Sequence, residues 1–411
     1  MKNEIQSLMK RDGISAIWIT GAGAHNPYMV YMTGGGHVTN SDLFVFAHKD
    51  PVLYCYPMER EEAEKSGFET HMYTEFPIKE YLKQASGDRT LAMAFRIIQL
   101  LQMNSVNEGK VLIYGTGEIN KLFPLFDAVN SHSGSLELIG AGEHNLLQEA
   151  MMTKTPEEID RIRSVGEKTI KVVSRVEHLL TTASVIDQQL YLNGKPLTVG
   201  NVKAKIDLWL AELGLENPEG TIFAIGRDAG IPHSSGTAED VIKLGQTIVF
   251  DIFPCEKGGG YFHDFTRTWS LGYASPEVEK AYEHVKQTYQ SIIRQLKVNA
   301  PFKNSQTQTC EEFRELGHPT IMEDPALLEG YIHSVGHGVG LNIHELPFSG
   351  KTAGDSEILA PGTVFTIEPG LYYPSKNFGI RLEDTYVVTQ DGNFETLVDY
   401  PMDLEIGRAH V

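Results

Sequence analysis

The stretch VFDIFPCEKGGGYFHDFTRTWS, Val249–Ser270, decides how the rest of the chain is read. Asp251 sits inside one apolar β-type run and Asp264 inside a second. Between them, Pro254 and Gly258-Gly259-Gly260 signal a turn. A hairpin centred on that turn places the two aspartates directly opposite each other. Opposed residues have Cβ atoms about 4.5–5.5 Å apart, and like charges there are destabilising. Two carboxylates so placed in a mostly buried strand pair require a cation.

The same pattern recurs nearer the C-terminus. TVFTIEPGLYY carries Glu368, FGIRLEDTYVVT carries Glu383, and PSKN (Pro374–Asn377) forms the turn between them. A hairpin on that turn again opposes two acids. An acid in a strand most often lies on a solvated face, and Pro369-Gly370 after Glu368 keeps that reading open. Two such hairpins in one chain argue for a shared purpose.

HSVGHGVGLNIHELP adds His333, His337 and His344. The HxxxH spacing suits a helical pair of metal ligands, but Gly336, Gly338 and Gly340 oppose a helix, and Phe348 stands where HExxH needs its second histidine. The stretch reads instead as a glycine-rich loop that lets backbone approach a site closely. Structural and ligand roles for its histidines stay equally open. A fourth, His233, lies in the polar loop IPHSSGT before the Asp251 strand.

With 411 residues the chain is long for one core, so two domains are expected. Its net charge of −19 argues against nonspecific binding to nucleic acid or an anionic membrane. Cys55, Cys255 and Cys310 show no CxxC spacing, which fits a reducing compartment. Cys255 reads as a small turn or core residue rather than a reactive thiol. MKNEIQSLMKRDG lacks a signal-peptide core and reads as an amphipathic helix, and no run approaches the roughly 18 apolar residues of a membrane span. A cytoplasmic protein is expected, with neither nucleic-acid nor membrane partners.

Strands and helices alternate through the first 150 residues, including one helical region over about Ile78–Met103, as in an α/β domain. Gly21-Ala22-Gly23 follows a strand, but Asn26 stands where GxGxxG needs glycine, so the pair reads as a strand-to-helix turn. TKTPEE then opens a helix with Pro156 in its first turn, and the domain boundary is placed near residue 150. Residues 151–411 combine long helices with hairpin strands, an α+β arrangement.

The ordered set Asp251, Asp264, His337, Glu368 and Glu383, with its flanking segments, resembles the dinuclear metal site of the "pita-bread" metallopeptidases. This family includes methionine aminopeptidase, aminopeptidase P and prolidase. The resemblance covers the chain from about Pro156, and residues 1–150 resemble the creatinase-type α/β N-terminal domain of the aminopeptidase P and prolidase branch. It implies a pita-bread catalytic domain over 151–411 and two divalent metal ions, Mn²⁺ foremost, with Co²⁺, Fe²⁺ or Zn²⁺ as alternatives. By resemblance, Asp251 chelates one metal, Asp264 and Glu383 bridge both, and His337 and Glu368 complete the other. Glu368 is the implied general base. His344 and His233 resemble substrate-contacting histidines, His333 an outer-site histidine, and Arg381 an arginine that pairs with a metal carboxylate.

The implied activity is hydrolysis of the N-terminal Xaa-Pro bond of peptides by a homodimer. Alternatives are a strict Xaa-Pro dipeptidase or a hydrolase of a small amide on the creatinase fold. Several prolidase-like members carry arginine right after the HE-x-P segment, suited to a dipeptide's carboxylate. Phe348 occupies that position and tilts the reading towards longer peptides.

Overall fold

Thr155 begins the longest helix with reciprocal capping bonds: its Oγ1 accepts from Glu158 N at 3.3 Å, and Glu158 Oε2 accepts from Thr155 N at 2.7 Å. Pro156 fills the first turn, where no N–H is needed, and the helix runs Pro156–Thr182. Its buried stripe is Ile162, Val165, Val172, Val173, Val176 and Leu180, while Ile159 and Ile170 are only part-buried. The computed structural model describes residues 4–142 and 145–407. Internal contacts divide the chain into two compact units, Met1–Met151 with Gly258–Gly260, and Met152–Lys257 with Tyr261–Val411.

The first unit is built on a mixed six-stranded sheet. Its strand order is Glu69–Met72, Val52–Cys55, Ser41–Phe46, Ile14–Gly21, Glu108–Gly115, Ser135–Gly140. Helix Arg89–Met103 contributes Ala94, Ile97 and Leu101 to the core beside Trp18 and Phe44. The expected single helix over Ile78–Met103 is in fact two, Ile78–Gln84 and Arg89–Met103. Ser86 and Gly87 take positive φ values of 52° and 92° between them, and Asp88 caps the second helix through Leu91 N. After strand Ile14–Gly21, Asn26 caps helix Pro27–Thr33, so the Gly21 and Gly23 turn leads from strand to helix. The amphipathic N-terminal helix spans Glu4–Asp12; the first three residues of that expectation lie outside those described.

The second unit holds two principal sheets. One is ordered Thr221–Ile225, Thr247–Ile252, Phe265–Leu271, Glu405–Ile406. Phe223, Phe250 and Trp269 pack there against helices Pro156–Thr182 and Val199–Glu212. The other is ordered Glu345–Phe348, His337–Gly338, Val364–Ile367, Asp384–Val388, Phe394–Thr396. Helices Pro276–Gln295 and Lys303–Glu315 cover it through Val285, Ile292 and Phe313. Each such buried side chain contributes about 1.5–3 kcal/mol. Among the described residues, no helix is long and apolar enough to cross a membrane.

Thr266 and Glu383 join the two sheets. Thr266 N donates to Glu383 O at 3.4 Å and Glu383 N to Thr266 O at 3.1 Å. Period-two alternation puts Asp264, Thr266 and Thr268 on one face. Thr268 Oγ1 donates to Arg381 O at 2.9 Å, and Thr385 Oγ1 to Asp264 O at 2.7 Å. Arg267, on the opposite face and buried, donates to Glu383 O at 2.8 Å and to Asp384 Oδ1 at 2.8 Å. The strands carrying the acids are therefore fixed from both sides.

Candidate metal centre

Asp251 pairs with Thr266 in the ladder, not with Asp264. The expected direct opposition is off by two residues. The same register continues through the Cys255–Phe262 bridge, so the hairpin closes at Gly258-Gly259 rather than midway between the aspartates. Both glycines have left-handed φ, +87° and +75°, which favours glycine there. A shift of two residues keeps every side chain on its face, so the aspartates become diagonal neighbours roughly 7–8 Å apart.

The second hairpin keeps a single register from Val364↔Val387 and Ile367↔Asp384 to Gly370↔Arg381 and Tyr373↔Phe378. Glu368 and Glu383 hold matching positions in the gap between its two ladders. There Glu383 turns to bridge Thr266, and its carboxylate accepts from Thr266 Oγ1 at 2.6 Å. The join between sheets thus brings acids of both hairpins together.

Ligand-capable atoms of Asp264, His337 and Glu383 lie within 4.8 Å of one another, all three residues buried. His337 Nε2 lies 3.6 Å from Asp264 Oδ2 and 3.4 Å from Glu368 Oε1. Its Nδ1 is 3.0 Å from Gly338 O, which can only accept, so Nδ1 carries the proton and Nε2 turns its lone pair to the acids. The glycines of this loop are used for close approach. A Cβ on Gly336 would strike the Thr366 carbonyl, and one on Gly340 the Glu345 carboxylate. Glu345 is held in turn by a buried ion pair with Lys154, N···O 2.6 Å.

The electrostatics of this cluster are those of an acidic site that Arg381 compensates only in part. Burial holds Asp264 well above the usual carboxylate range, with Asp251 and Glu368 adding repulsion. Burial and then Asp264 do the same to Glu383. Burial pushes Glu368 up to about 8 against the pull of Arg381. His337 is pushed down to about 3 by burial, leaving a neutral imidazole. Asp251 Oδ1, Asp264 Oδ1 and Glu383 Oε1 are buried without a hydrogen-bond partner. Buried charge of one sign with orphaned oxygens is costly unless paired. An imidazole and hard carboxylate oxygens fit first-row divalent cations, so these residues suit a metal.

Arg381 donates from Nη2 to Asp251 Oδ2 at 2.5 Å and from Nη1 to Tyr372 Oη at 2.8 Å. Tyr372 Oη lies 2.9 Å from His333 Nε2, and His333 Nδ1 2.6 Å from Ser334 O. Both nitrogens of His333 are therefore engaged, Nδ1 as donor. The His344 ring stacks edge-on to His337 at 4.3 Å. His233, His333 and His344 all line one cavity of ≈ 770 Å³ with the five acid and imidazole residues.

Tyr372 and Thr266 have no role in the sequence reading. Tyr372 stands four residues after Glu368, so strand alternation offers a signal that it shares that residue's face. Thr266 stands two after Asp264, with the same signal.

Hairpin-borne acids at the seam of two helix-backed sheets define a pita-bread catalytic fold preceded by an α/β unit. The chain belongs to metallopeptidase family M24, whose model matches residues 160–390. An "Xaa-Pro dipeptidase" of Pyrococcus furiosus is 31% identical over 234 residues, 55% of this chain and 62% of that one. "Probable dipeptidase PepE" of Mycobacterium tuberculosis is 28% identical over 271 residues, 66% of this chain and 63% of that one. The matched region thus spans less than two thirds of either relative. The solved prolidase of Pyrococcus furiosus superposes with a TM-score of 0.72 at 23% identity, covering 96% of this chain and 99% of that chain. An X-Pro aminopeptidase from Thermotoga maritima gives 0.74 at 22%, covering 98% and 100%. At these identities the structural likeness concerns the fold.

Proposed function

We propose that this chain is a dinuclear metal-dependent peptidase that hydrolyses the N-terminal Xaa-Pro bond of peptides. The observation that carries this reading is the buried cluster of Asp264, His337 and Glu383, flanked by Asp251 and Glu368, with orphaned oxygens at one end of an open cavity. Asp251, Asp264, His337, Glu368 and Glu383 would hold the ions, with Asp264 and Glu383 as the ligands that would be shared. Two divalent cations bound there, Mn²⁺ foremost and Co²⁺, Fe²⁺ or Zn²⁺ as alternatives, would supply Lewis acidity.

The chain's own groups supply the rest. Glu368, beside His337 Nε2 at 3.4 Å in the same cavity, is the acceptor for the proton of the attacking water. His344 donates to the substrate carbonyl or leaving nitrogen, and His233 contacts the substrate; that both line the cavity of the acid cluster supports these roles. Arg381 fixes Asp251, and Tyr372 ties Arg381 to His333, which makes His333 a positioning residue. The chain is further proposed to act as a homodimer in the cytoplasm, consistent with three buried free cysteines.

A strict Xaa-Pro dipeptidase is the second reading, favoured by the name of the Pyrococcus furiosus relative, while that of the Mycobacterium tuberculosis relative says only dipeptidase. Phe348, 38% exposed at the cavity wall, favours longer peptides. The test is a panel of Xaa-Pro dipeptides, Xaa-Pro-Yaa tripeptides, proline-free controls and small amides, run with metal-replete protein. Proline-dependent cleavage is expected. A metal-replete protein that cleaves no peptide overturns the reading in favour of a small-amide hydrolase.

A further inference from the structure

Among the described residues lining the cavity, Lys203 and Arg381 are the two with an ordinary fixed positive charge. Arg381 is consumed: its donors reach Asp251, Tyr372, Thr266 and the Pro232 carbonyl. Lys203 differs. It sits on helix Val199–Glu212, half-buried, and its Nζ donates to the neutral Ser235 carbonyl at 3.0 Å. An ammonium has three donors, so this contact leaves others for a ligand. The acid closest in sequence, Asp207, is one turn along the same helix, where its charge favours the ammonium form of Lys203 without a hydrogen bond to it. Glu219 lines the same cavity, and its charge acts on His344. Partial desolvation lowers the Lys203 pKa, the condition under which an incoming anion gains most from pairing.

At the remaining part of the wall, Phe348, Ile222 and Ile343 offer apolar surface without charge. The cavity therefore combines the acids of the metal cluster and Glu219, an apolar stretch of wall, and one cation with donors to spare. We propose that Lys203 is a specificity-determining residue that binds a carboxylate of the peptide substrate, either its C-terminus or an acidic side chain beyond the scissile bond. The inference rests on the peptidase reading above and names the substrate class of the same cavity.

The experiment compares Ala-Pro with Ala-Pro-amide, Ala-Pro-Ala with its amide, and Ala-Pro-Glu-amide with Ala-Pro-Gln-amide. A charge-assisted contact predicts that wild-type kcat/KM favours the carboxylate member of at least one pair by roughly 10- to 100-fold, mainly through KM. The free-acid pairs report a C-terminal contact and the Glu/Gln pair a side-chain contact. Lys203→Met should bring the preference close to one, Lys203→Arg should retain it, and Lys203→Glu should reverse it. Wild-type protein that cleaves acid and neutral members equally overturns this inference alone. A preference that survives Lys203→Met does the same. Wild-type protein that cleaves none of these peptides overturns the peptidase reading, and this inference falls with it.

Discussion

Arg381 Nη2 donates to Asp251 Oδ2 across 2.5 Å, with both side chains almost fully buried. The pair links the strand after the second hairpin turn to the strand that opens the first. Removing one partner of such a pair strands a buried charge, at about 3–5 kcal/mol. Arg381→Met is therefore expected to destabilise the metal-stripped protein by that amount, read by denaturant unfolding. A change below about 1 kcal/mol would show that Asp251 does not depend on Arg381.

Tyr372 sits between Arg381 and His333, within hydrogen-bond distance of both. Tyr372→Phe keeps the ring and removes the hydroxyl. Outer partners of this kind are worth about 10- to 100-fold in metal affinity or activity. A loss in that range is expected in metal titrations and in kcat; wild-type values in both would remove Tyr372 from the site's support.

Phe348 lines the cavity and is 38% exposed, and an arginine in its place would offer a fork of donors to a dipeptide's carboxylate. Phe348→Arg is expected to raise kcat/KM for Xaa-Pro dipeptides over Xaa-Pro-Yaa tripeptides by about tenfold, the worth of one charge-assisted contact. An unchanged ratio in a kinetic comparison would end that argument.

His318 donates or accepts between His284 Nδ1 at 2.7 Å and Tyr373 Oη at 2.6 Å. Burial, helped by His284, Lys280 and Lys376, pushes its pKa from 6.5 down to about 4. The folded state thus prefers the neutral ring. Between pH 6.5 and 4 the unfolded chain takes up a proton that the folded chain refuses, so stability is full above 6.5 and falls towards 4. Melting temperature should decline across that window in wild type and less steeply in His318→Gln. Parallel slopes would contradict the assignment.

Much of the site was legible because its residues lie in short strands with their own flanks. Asp251, Asp264, Glu368 and Glu383 stand out as acids in apolar runs, and four turn residues leave the second hairpin little choice of register. The first hairpin offered no such constraint. Pro254 and three glycines permit several turn centres, and the ladder through Cys255 and Phe262 chose one two residues from the direct pairing. The break at Ser86 and Gly87 was hidden by strong helix formers on either side. Alternation alone signals which face Tyr372 and Thr266 take, but their bonds to Arg381 and Glu383, like that of Lys203 to Ser235, join residues distant in sequence, which spacing does not encode.

The central claim is that two divalent ions occupy the cluster around Asp264. Titration of the metal-stripped protein with Mn²⁺, followed by calorimetry, tests it most directly. Two equivalents per chain are expected for wild type, with a higher melting temperature once they are bound; saturation at about 100 times Kd adds about 2.7 kcal/mol for each site. Asp264→Ala, which deletes a shared ligand, should weaken both sites. Stoichiometry below two in wild type, or two equivalents of unchanged affinity in Asp264→Ala, would contradict the account.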